Sequence, residues 1–424
     1  MLAKAKSIYH EFPRTFWTLI GATFIDRLGG ALIFPFLSLY MTQKFNIGMT
    51  QVGQLFAIYA FASLFGNILG GAMTDKFGRR TMLLFGLIMS ALSSLAMGLV
   101  NDLNLFYSLA GVVGLLSNTG GPAQQAMVAD LLPAKRQTEG FGILRVVINL
   151  AITIGPAIGG ILAARSYLLL FIIDAISSTT TALIVFSVLP ETMPEKTEEQ
   201  SSQSLTQTVG GYRLVLKDWV YMAFLIVSML MVTVYMQMNS SLPVYLRDMH
   251  GVQPQGFGYI LSLNAAMVVL FQFWVTRRIS KYRPLLLMAV GTGFYALGFA
   301  MYGFVSAYLL FLLAMVIITI GEMIVSPTAQ ALVARLAPED MRGRYMAMYG
   351  FSWIIPTALG PLAAGLIMDN YNPDWVWYAS GIVCLVAVSG YAFLYLRAGK
   401  RLNQTAEEEL SEAAQTRAAP TTGD

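Results

Sequence analysis

The stretch PAQQAMVADLLPAKR at residues 122–136 returns as PTAQALVARLAPEDM at residues 327–341, 205 positions later. Seven of its positions are identical, and the same shift places Gly155 and Pro156 onto Gly360 and Pro361. Self-similarity at one constant spacing is the signature of an internal duplication. The chain therefore consists of two related halves, and we expect the second half to repeat the structure of the first.

Each half contains six apolar runs long enough to cross a bilayer. A helix of about 20 apolar residues spans roughly 30 Å of hydrocarbon. The runs are 17–40, 51–74, 81–100, 104–127, 140–164, 167–189, 220–243, 254–276, 284–304, 307–331, 345–368 and 375–396. The first run is too long for a signal peptide and shows no small-residue cleavage site, so we expect it to stay as the first helix. The sequence predicts an all-α membrane protein with twelve transmembrane helices in two six-helix halves.

Polar segments set the predicted boundaries of these halves. The longest interior polar stretch begins with PETMPEKTEEQSSQSLTQT and separates the sixth run from the seventh. We predict an N-terminal half at residues 1–192, a cytoplasmic linker at 193–216, a C-terminal half at 217–402 and a cytoplasmic tail at 403–424.

The charge distribution predicts the orientation of the chain. Only 12% of residues are charged and 56% are hydrophobic, whereas soluble proteins carry about 25% charged residues. Of the 27 Lys and Arg residues, 22 fall on the side of the two termini, and three (Lys44, Arg165 and Arg247) fall in loops on the other side. Cytoplasmic loops are enriched in Lys and Arg. We therefore expect a multi-pass protein of the plasma (inner) membrane with both termini in the cytoplasm.

Several classes of chemistry are excluded by what the sequence lacks. A single cysteine, Cys384, cannot build a disulfide framework, and His10 and His250 are too far apart to read as a metal pair. No apolar run offers a nucleophile with a base, and no glycine-rich phosphate loop ends in Gly-Lys-Ser/Thr. We expect neither an enzyme nor an ATP-driven pump. We also expect no metal, cofactor or nucleic-acid partner, with a proton gradient as the energy source.

The loop after the second run, GAMTDKFGRR at residues 71–80, carries the most specific motif. It resembles the signature loop of the major facilitator superfamily at Gly71, Asp75, Lys76, Gly78, Arg79 and Arg80. A small residue such as Gly71 lets helices approach closely, and Gly78 permits a tight turn. The resemblance implies a cytoplasmic latch that holds the halves in the outward-facing state, with Asp130 as the partner of Arg79. The alternative is a loop whose positive charge only sets the topology.

The fifth run, GFGILRVVINLAITIGPAIGG at residues 140–160, resembles the pattern of the drug-exporting, proton-antiporting branch of this superfamily. Small residues and a bent proline helix suit a hinge between the halves. The hinge residues are Arg145, Gly155, Pro156, Gly159 and Gly160. The branch usually has an arginine in the fourth run, where Ala110 stands here; Arg145 is the nearest substitute. The alternative is close helix packing with no role in transport.

Five ionisable residues lie within the apolar runs: Asp26, Arg27, Arg145, Asp174 and Glu322. Each would cost about 2.5–3.5 kcal/mol at the bilayer centre, so we expect them to face the protein interior. In the family, runs one, four, seven and ten line a central cavity, which implies that Asp26 and Glu322 lie on the path of substrate or protons. A carboxyl group there can exchange a proton for a cation. The alternatives are an ion pair of Asp26 with Arg27 or Arg145, and a packing role for Asp174.

Aromatic and methionine side chains suit a soft cavity wall for varied lipophilic ligands, although lipid-facing positions explain many of them equally well. The predicted cavity residues are Phe34, Phe36, Tyr40, Asn118, Tyr235, Asn239 and Glu322.

The leading hypothesis is a secondary active transporter that exports lipophilic or cationic small molecules in exchange for protons, a multidrug efflux antiporter working by alternating access. A proton-coupled symporter for a sugar or organic anion is the alternative, which Arg27 and Arg145 favour. The expected partners are a small-molecule substrate, protons and the lipid bilayer, and the expected state is a monomer.

Overall fold

A computed structural model describes residues 11–193, 213–279, 281–338 and 341–418. These parts of the chain are helical, with connecting turns and no strand. Eleven helices within them are long and apolar enough to cross a membrane. One more segment is divided at Asn118 and Thr119 into helices of 15 and 11 residues, which only together reach the length of a span. The predicted all-α architecture with twelve spanning segments is confirmed.

We number the spanning segments α1 to α12 and letter the pieces of the three that are interrupted. They are α1a (Arg14–Ile33), a 3-10 turn (Phe34–Phe36), α1b (Leu37–Phe45), α2 (Met49–Phe77), α3 (Arg79–Leu99), α4a (Leu103–Ser117), α4b (Gly120–Asp130), α5 (Ala134–Ala163), α6 (Tyr167–Val188), α7a (Trp219–Ser240), α7b (Leu242–His250), α8 (Pro254–Ile279), α9 (Pro284–Met301), α10 (Tyr308–Leu336), α11 (Arg342–Asn370) and α12 (Trp375–Ala418).

Local sequence explains where several of these helices begin and end. The side chain of Asp102 accepts a hydrogen bond from the backbone N–H of Leu105, 2.8 Å away, and so caps α4a. Asp218 caps α7a in the same way through Tyr221. Such caps satisfy N–H groups that have no partner inside the helix. At the other end, Asn46 adopts a left-handed conformation that ends α1b.

The internal duplication is visible in the interruptions of α1 and α7. The short helix α1b covers residues 37–45 and α7b covers residues 242–250, so the two are nine residues long and lie 205 positions apart. Pro35 precedes the first, and Pro243 lies in the first turn of the second. Proline lacks the N–H that a continuing helix needs, which explains why both segments break there.

The two ends of the helix bundle are closed to different degrees. We call the end with the start of α1 and the α2–α3 loop the terminal face, and the other end the opposite face. The halves meet at the opposite face, where α1b contacts α7b, α2 contacts α11 and α5 contacts α8. These contacts are close because small residues face them: a Cβ on Gly53 would lie 2.4 Å from the Leu362 Cα, and one on Gly160 would lie 2.7 Å from the Gly258 Cα.

The predicted domain boundaries remain largely a prediction. Most of the predicted linker at 193–216 falls at residues 194–212, outside the described parts of the chain. The predicted boundary between the second half and the tail lies within α12, which continues as a helix to Ala418.

Candidate functional site

A cavity of about 930 Å³ lies between the two halves. Its wall is formed by α1, α2, α3, α4, α5 and α6 from the first half and by α7, α8, α9, α10 and α11 from the second. Thr276 near the end of α8 and Val185 near the end of α6 line it, so the cavity extends toward the terminal face. Ligand pockets for drug-sized molecules have volumes of about 300–1,000 Å³. The cavity therefore has room for a small organic molecule.

Glu322 of α10 lines this cavity and is held by neutral groups. The Tyr235 hydroxyl donates a 2.9 Å hydrogen bond to its Oε1, and Asn264 Nδ2 donates a 2.7 Å bond to its Oε2. Asn264 also donates to the Thr319 hydroxyl, 3.0 Å away, which fixes its amide. Within the described residues, the ion pairs do not include Glu322. The carboxyl group is thus oriented but not neutralised, which leaves it available to a proton or to a cationic ligand.

Aromatic rings surround this carboxyl group. The ring of Tyr235 lies 5.8 Å from that of Tyr295 and 6.0 Å from that of Trp353, measured between centroids. All three rings line the cavity. Aromatic faces attract cations, most strongly where water is excluded. Sequence reasoning identified Tyr235 but missed Tyr295, Trp353 and the role of Asn264, because nothing in an apolar run shows which helix faces which.

Asp26 lies on the first-half wall and is not paired with an arginine. Its Oδ1 accepts a 3.0 Å hydrogen bond from the Ser178 hydroxyl, which also contacts Ser90. Asp174 is buried beside it and accepts a hydrogen bond from Ser94. Among the described residues, no ion pair involves either aspartate. The ion pair considered for Asp26 is therefore absent from this structure, and Asp174 has the hydrogen-bonded packing contacts considered for it.

The other predicted cavity residues divide into two groups. Phe34, Asn118 and Asn239 line the cavity, but Phe36 and Tyr40 do not. Phe36 is buried against Phe257 of α8, with ring centroids 5.8 Å apart. The Tyr40 hydroxyl donates to the Met97 carbonyl, 2.9 Å away. The prediction for Phe36 and Tyr40 assumed one continuous helix, whereas the 3-10 turn at Phe34–Phe36 changes the helical phase and turns them into the core.

The predicted hinge residues on α5 lie at close helix contacts. A Cβ on Gly155 would lie 2.4 Å from the Ala31 Cβ, and one on Gly159 would lie 2.7 Å from the Leu32 carbonyl oxygen. Gly160 packs on Gly258 of the second half. Pro156 lies inside α5. Both Pro156 and Arg145 line the cavity. This geometry fits both the hinge and the close-packing interpretation, so the hinge stays a prediction.

The signature loop forms a polar network within the first half. Arg79 Nε lies 3.2 Å from Asp130 Oδ2, the partner named from the sequence, and Arg79 Nη1 lies 3.3 Å from Asp75 Oδ1. Gly78 adopts φ +97°, the backbone conformation that a tight turn there requires. The predicted close helix approach at Gly71 is not found. A Cβ at Gly71 would meet nothing within 4 Å, so no helix approaches this residue closely.

The remaining basic residues of the loop contact aromatic rings. Lys76 Nζ lies 5.4 Å from the Phe77 ring centroid, and the Arg80 guanidinium carbon lies 5.2 Å from that of Phe186. The contacts of the loop described here all stay in the first half, so they do not join the halves in this conformation.

Glu191, which sequence reasoning missed, anchors this loop. Its carboxylate accepts hydrogen bonds from the backbone N–H groups of Arg79 and Arg80 at the start of α3, and from those of Thr192 and Met193. Burial by itself raises the pKa of Glu191, but these four donors outweigh it and hold the pKa below its usual value of 4.5. A carboxylate at a helix N-terminus also interacts favourably with the helix dipole.

Two six-helix halves around a cavity with a charged residue at membrane depth define the class of secondary transporters. The sequence model described as Major Facilitator Superfamily matches residues 19–356 and 324–421. The chain belongs to the Major Facilitator Superfamily. It is accordingly a multi-pass membrane transporter for small molecules and not an enzyme.

Relatives of this chain include proteins named as an antiporter and as a multidrug resistance protein. It is 27% identical over 400 residues to a protein of Planococcus maritimus named "Na(+), Li(+), K(+)/H(+) antiporter", covering 86% of this chain and 91% of the relative. It is 23% identical to the multidrug resistance protein MdtH of Shigella flexneri, covering 88% and 93%. The solved structure of the nucleoside transporter NupG superposes with a TM-score of 0.73 at 17% identity, covering 90% of this chain and 99% of NupG. That likeness shows the shared fold.

Proposed function

We propose that this transporter exports lipophilic or cationic small molecules in exchange for protons. The observation that carries the proposal is the setting of Glu322, a cavity carboxyl group held by Tyr235 and Asn264 and ringed by aromatic side chains. A proton and a cationic substrate compete for such a group, and that competition couples their opposite movements. The names of the antiporter and multidrug-resistance relatives support the proposal.

The charge distribution supports the orientation of the cavity in the membrane. If the terminal face is cytoplasmic, as the positive-inside rule favours, the cavity in this structure opens to the cytoplasm and is closed on the outside. A substrate would enter there and displace the proton from Glu322. After the opposite face opens, a proton from outside would displace the substrate. Asp26, whose carboxylate lines the same cavity, is proposed as a second proton-holding group.

The first prediction tests Glu322 directly. Adding a fluorescent cation to the detergent-solubilised protein should release protons, and the Glu322→Gln variant should lose that release, since its amide cannot ionise. Transport in inverted vesicles, measured with a panel of fluorescent cations, should stop in the variant and in the presence of an uncoupler. Removing a group essential for coupling should lower the rate at least about tenfold, which corresponds to 1.4 kcal/mol.

Glu139→Gln provides the matched control, since Glu139 is exposed at the start of α5 and does not line the cavity. It should behave as the unmodified protein does. Proton release that persists unchanged in Glu322→Gln would remove Glu322 from the mechanism. Because one relative is named for Na⁺, Li⁺ and K⁺ exchange, the same assay should be run with these ions as substrates.

The symporter alternative rests on Arg27 and Arg145, two cations that also line the cavity. Import coupled to protons would appear as uptake of a sugar or organic anion that rises with an inward proton gradient. In inverted vesicles, an antiporter should accumulate its substrate when the lumen is the acidic side and a symporter when the outside is the acidic side, so the sign of the imposed gradient distinguishes the two.

A further inference from the structure

The first-half wall of the cavity carries two guanidinium groups, those of Arg27 on α1a and Arg145 on α5. Both residues are exposed, and in the part of the chain that the structure describes neither takes part in an ion pair. Arg27 Nη2 lies 3.5 Å from the neutral Oε1 of Gln124. The neighbouring carboxyl groups of Asp26 and Asp174 accept hydrogen bonds from serines of α6 and α3 and form no ion pair with either arginine among the described residues.

An arginine without a counter-ion is costly inside a membrane protein. Such residues face water-filled cavities and mark the pathways of ligands. The planar guanidinium presents paired donors that match a carboxylate or a similar acidic group. Arg145 of α5 and Tyr349 of α11 line the same cavity, one from each half.

The two walls of the cavity are therefore chemically different. The first half contributes the guanidinium groups of Arg145 and Arg27 beside the carboxyl groups of Asp26 and Asp174, and the second contributes Glu322 with the rings of Tyr235 and Trp353. A purely cationic ligand would use the second wall and leave the guanidinium groups without a partner. A ligand with an acidic group and a separate cationic aromatic part would satisfy both.

We propose that Arg145, on the same wall as Arg27, forms a subsite for an acidic group of the substrate. The preferred substrates are then zwitterions, with the cationic aromatic part at Glu322 and the acidic group at Arg145. This inference rests on the proposed function and narrows its substrate class.

Rhodamine B and its ethyl ester form a matched pair of probes. Both carry the cationic aromatic core, but only rhodamine B has a free carboxylate. By fluorescence polarisation, the solubilised full chain should bind rhodamine B about tenfold more tightly than the ester, in line with a charge-assisted hydrogen bond. Arg145→Gln should abolish this preference by weakening rhodamine B binding alone. Arg145→Lys, which keeps the charge without the planar donors, should retain part of it.

Arg165→Gln is the control, because Arg165 is exposed in the α5–α6 loop away from the cavity and its variant loses the same charge. Unchanged ester binding by Arg145→Gln shows that its cavity is folded. The inference is overturned if Arg145→Gln keeps the preference for rhodamine B, or if the unmodified protein binds both dyes equally. Those results leave the proposed function standing as long as the ester still drives proton release that Glu322→Gln abolishes; the absence of release with any probe would refute the proposed function instead.

Discussion

Glu191 shows how one carboxylate fixes a loop through backbone groups alone. Its pKa is lower in the folded protein than its ordinary value of 4.5, because the four N–H donors outweigh the effect of burial. A group of this kind stabilises the fold fully at pH values above its unfolded pKa, and this contribution is lost as the pH falls through the folded pKa. The anchor of the signature loop should therefore hold at neutral pH and weaken in acid.

Hydrogen exchange can test this at the two amides involved. The N–H groups of Arg79 and Arg80, corrected for intrinsic exchange rates, should be protected at pH 6 and lose protection below about pH 4.5. Glu191→Gln should show reduced protection at both pH values. Protection that does not change with pH in the unmodified protein would contradict the assignment.

Gly78 and Gly71 allow a matched test of what the signature glycines do. At Gly78, φ is +97° and a Cβ would lie 2.4 Å from Glu191 Oε2. Gly78→Ala should therefore destabilise the protein by about 1–3 kcal/mol, the cost of a side chain in a backbone region that is essentially restricted to glycine, plus the displacement of Glu191. Gly71→Ala should be neutral or stabilise by about 0.5–1 kcal/mol, since alanine favours a helix and nothing lies within 4 Å.

Thermal unfolding in detergent measures both variants. A loss of stability in Gly71→Ala equal to that in Gly78→Ala would show that the local geometry does not decide their effects.

At the scale of helices, the sequence predicts the number and positions of the spans because each span must be apolar over a known length. The sequence also predicts that the two halves share one structure. The short helices α1b and α7b support this, since they have the same length and lie 205 positions apart. The sequence does not predict the breaks within spans. Pro35 interrupts α1, but Pro156 lies inside a continuous α5, because neighbouring helices decide whether a proline bends or ends a helix.

Contacts between distant parts of the chain also explain why the sequence predicted the candidate site incompletely. The intramembrane charges could be placed in the interior from their cost in lipid, and Asp26, Arg27, Arg145 and Glu322 all line the cavity. Their partners could not be predicted, since contacts such as that of Tyr235 with Glu322 join residues 87 positions apart. Glu191 was missed because it acts on backbone groups, which every residue carries.

In the whole molecule, a few polar contacts join the two halves at the opposite face. The carboxylate of Asp369, at the end of α11, accepts hydrogen bonds from the backbone N–H groups of Met49 and Thr50 at the start of α2, at 2.9 and 2.7 Å. Arg247 of α7b donates to the Thr42 hydroxyl of α1b, 3.0 Å away. Alternating access requires these contacts to break whenever the opposite face opens.

Asp369 is the better target, because it gains two hydrogen bonds only while the face is closed. Its carboxylate is exposed to solvent, so each bond is worth about 0.5–1.5 kcal/mol. Asp369→Ala should shift the population toward the form open at the opposite face by about tenfold or more. Spin labels at Ser166→Cys and Ser306→Cys, exposed in loops of this face on opposite halves, would report the shift as a longer distance. The native Cys384 is buried and should not be labelled.

Asp102→Ala separates this effect from the simple loss of a helix cap. Asp102 caps α4a on the same face but contacts only its own half, so its removal should cost about 1 kcal/mol of stability and leave the distance unchanged. If both variants lengthen the distance equally, general destabilisation explains the result. If neither does, then small-residue contacts such as Gly53 against Leu362 hold the face closed without Asp369, because close packing and hydrogen bonding are independent ways to favour one conformation.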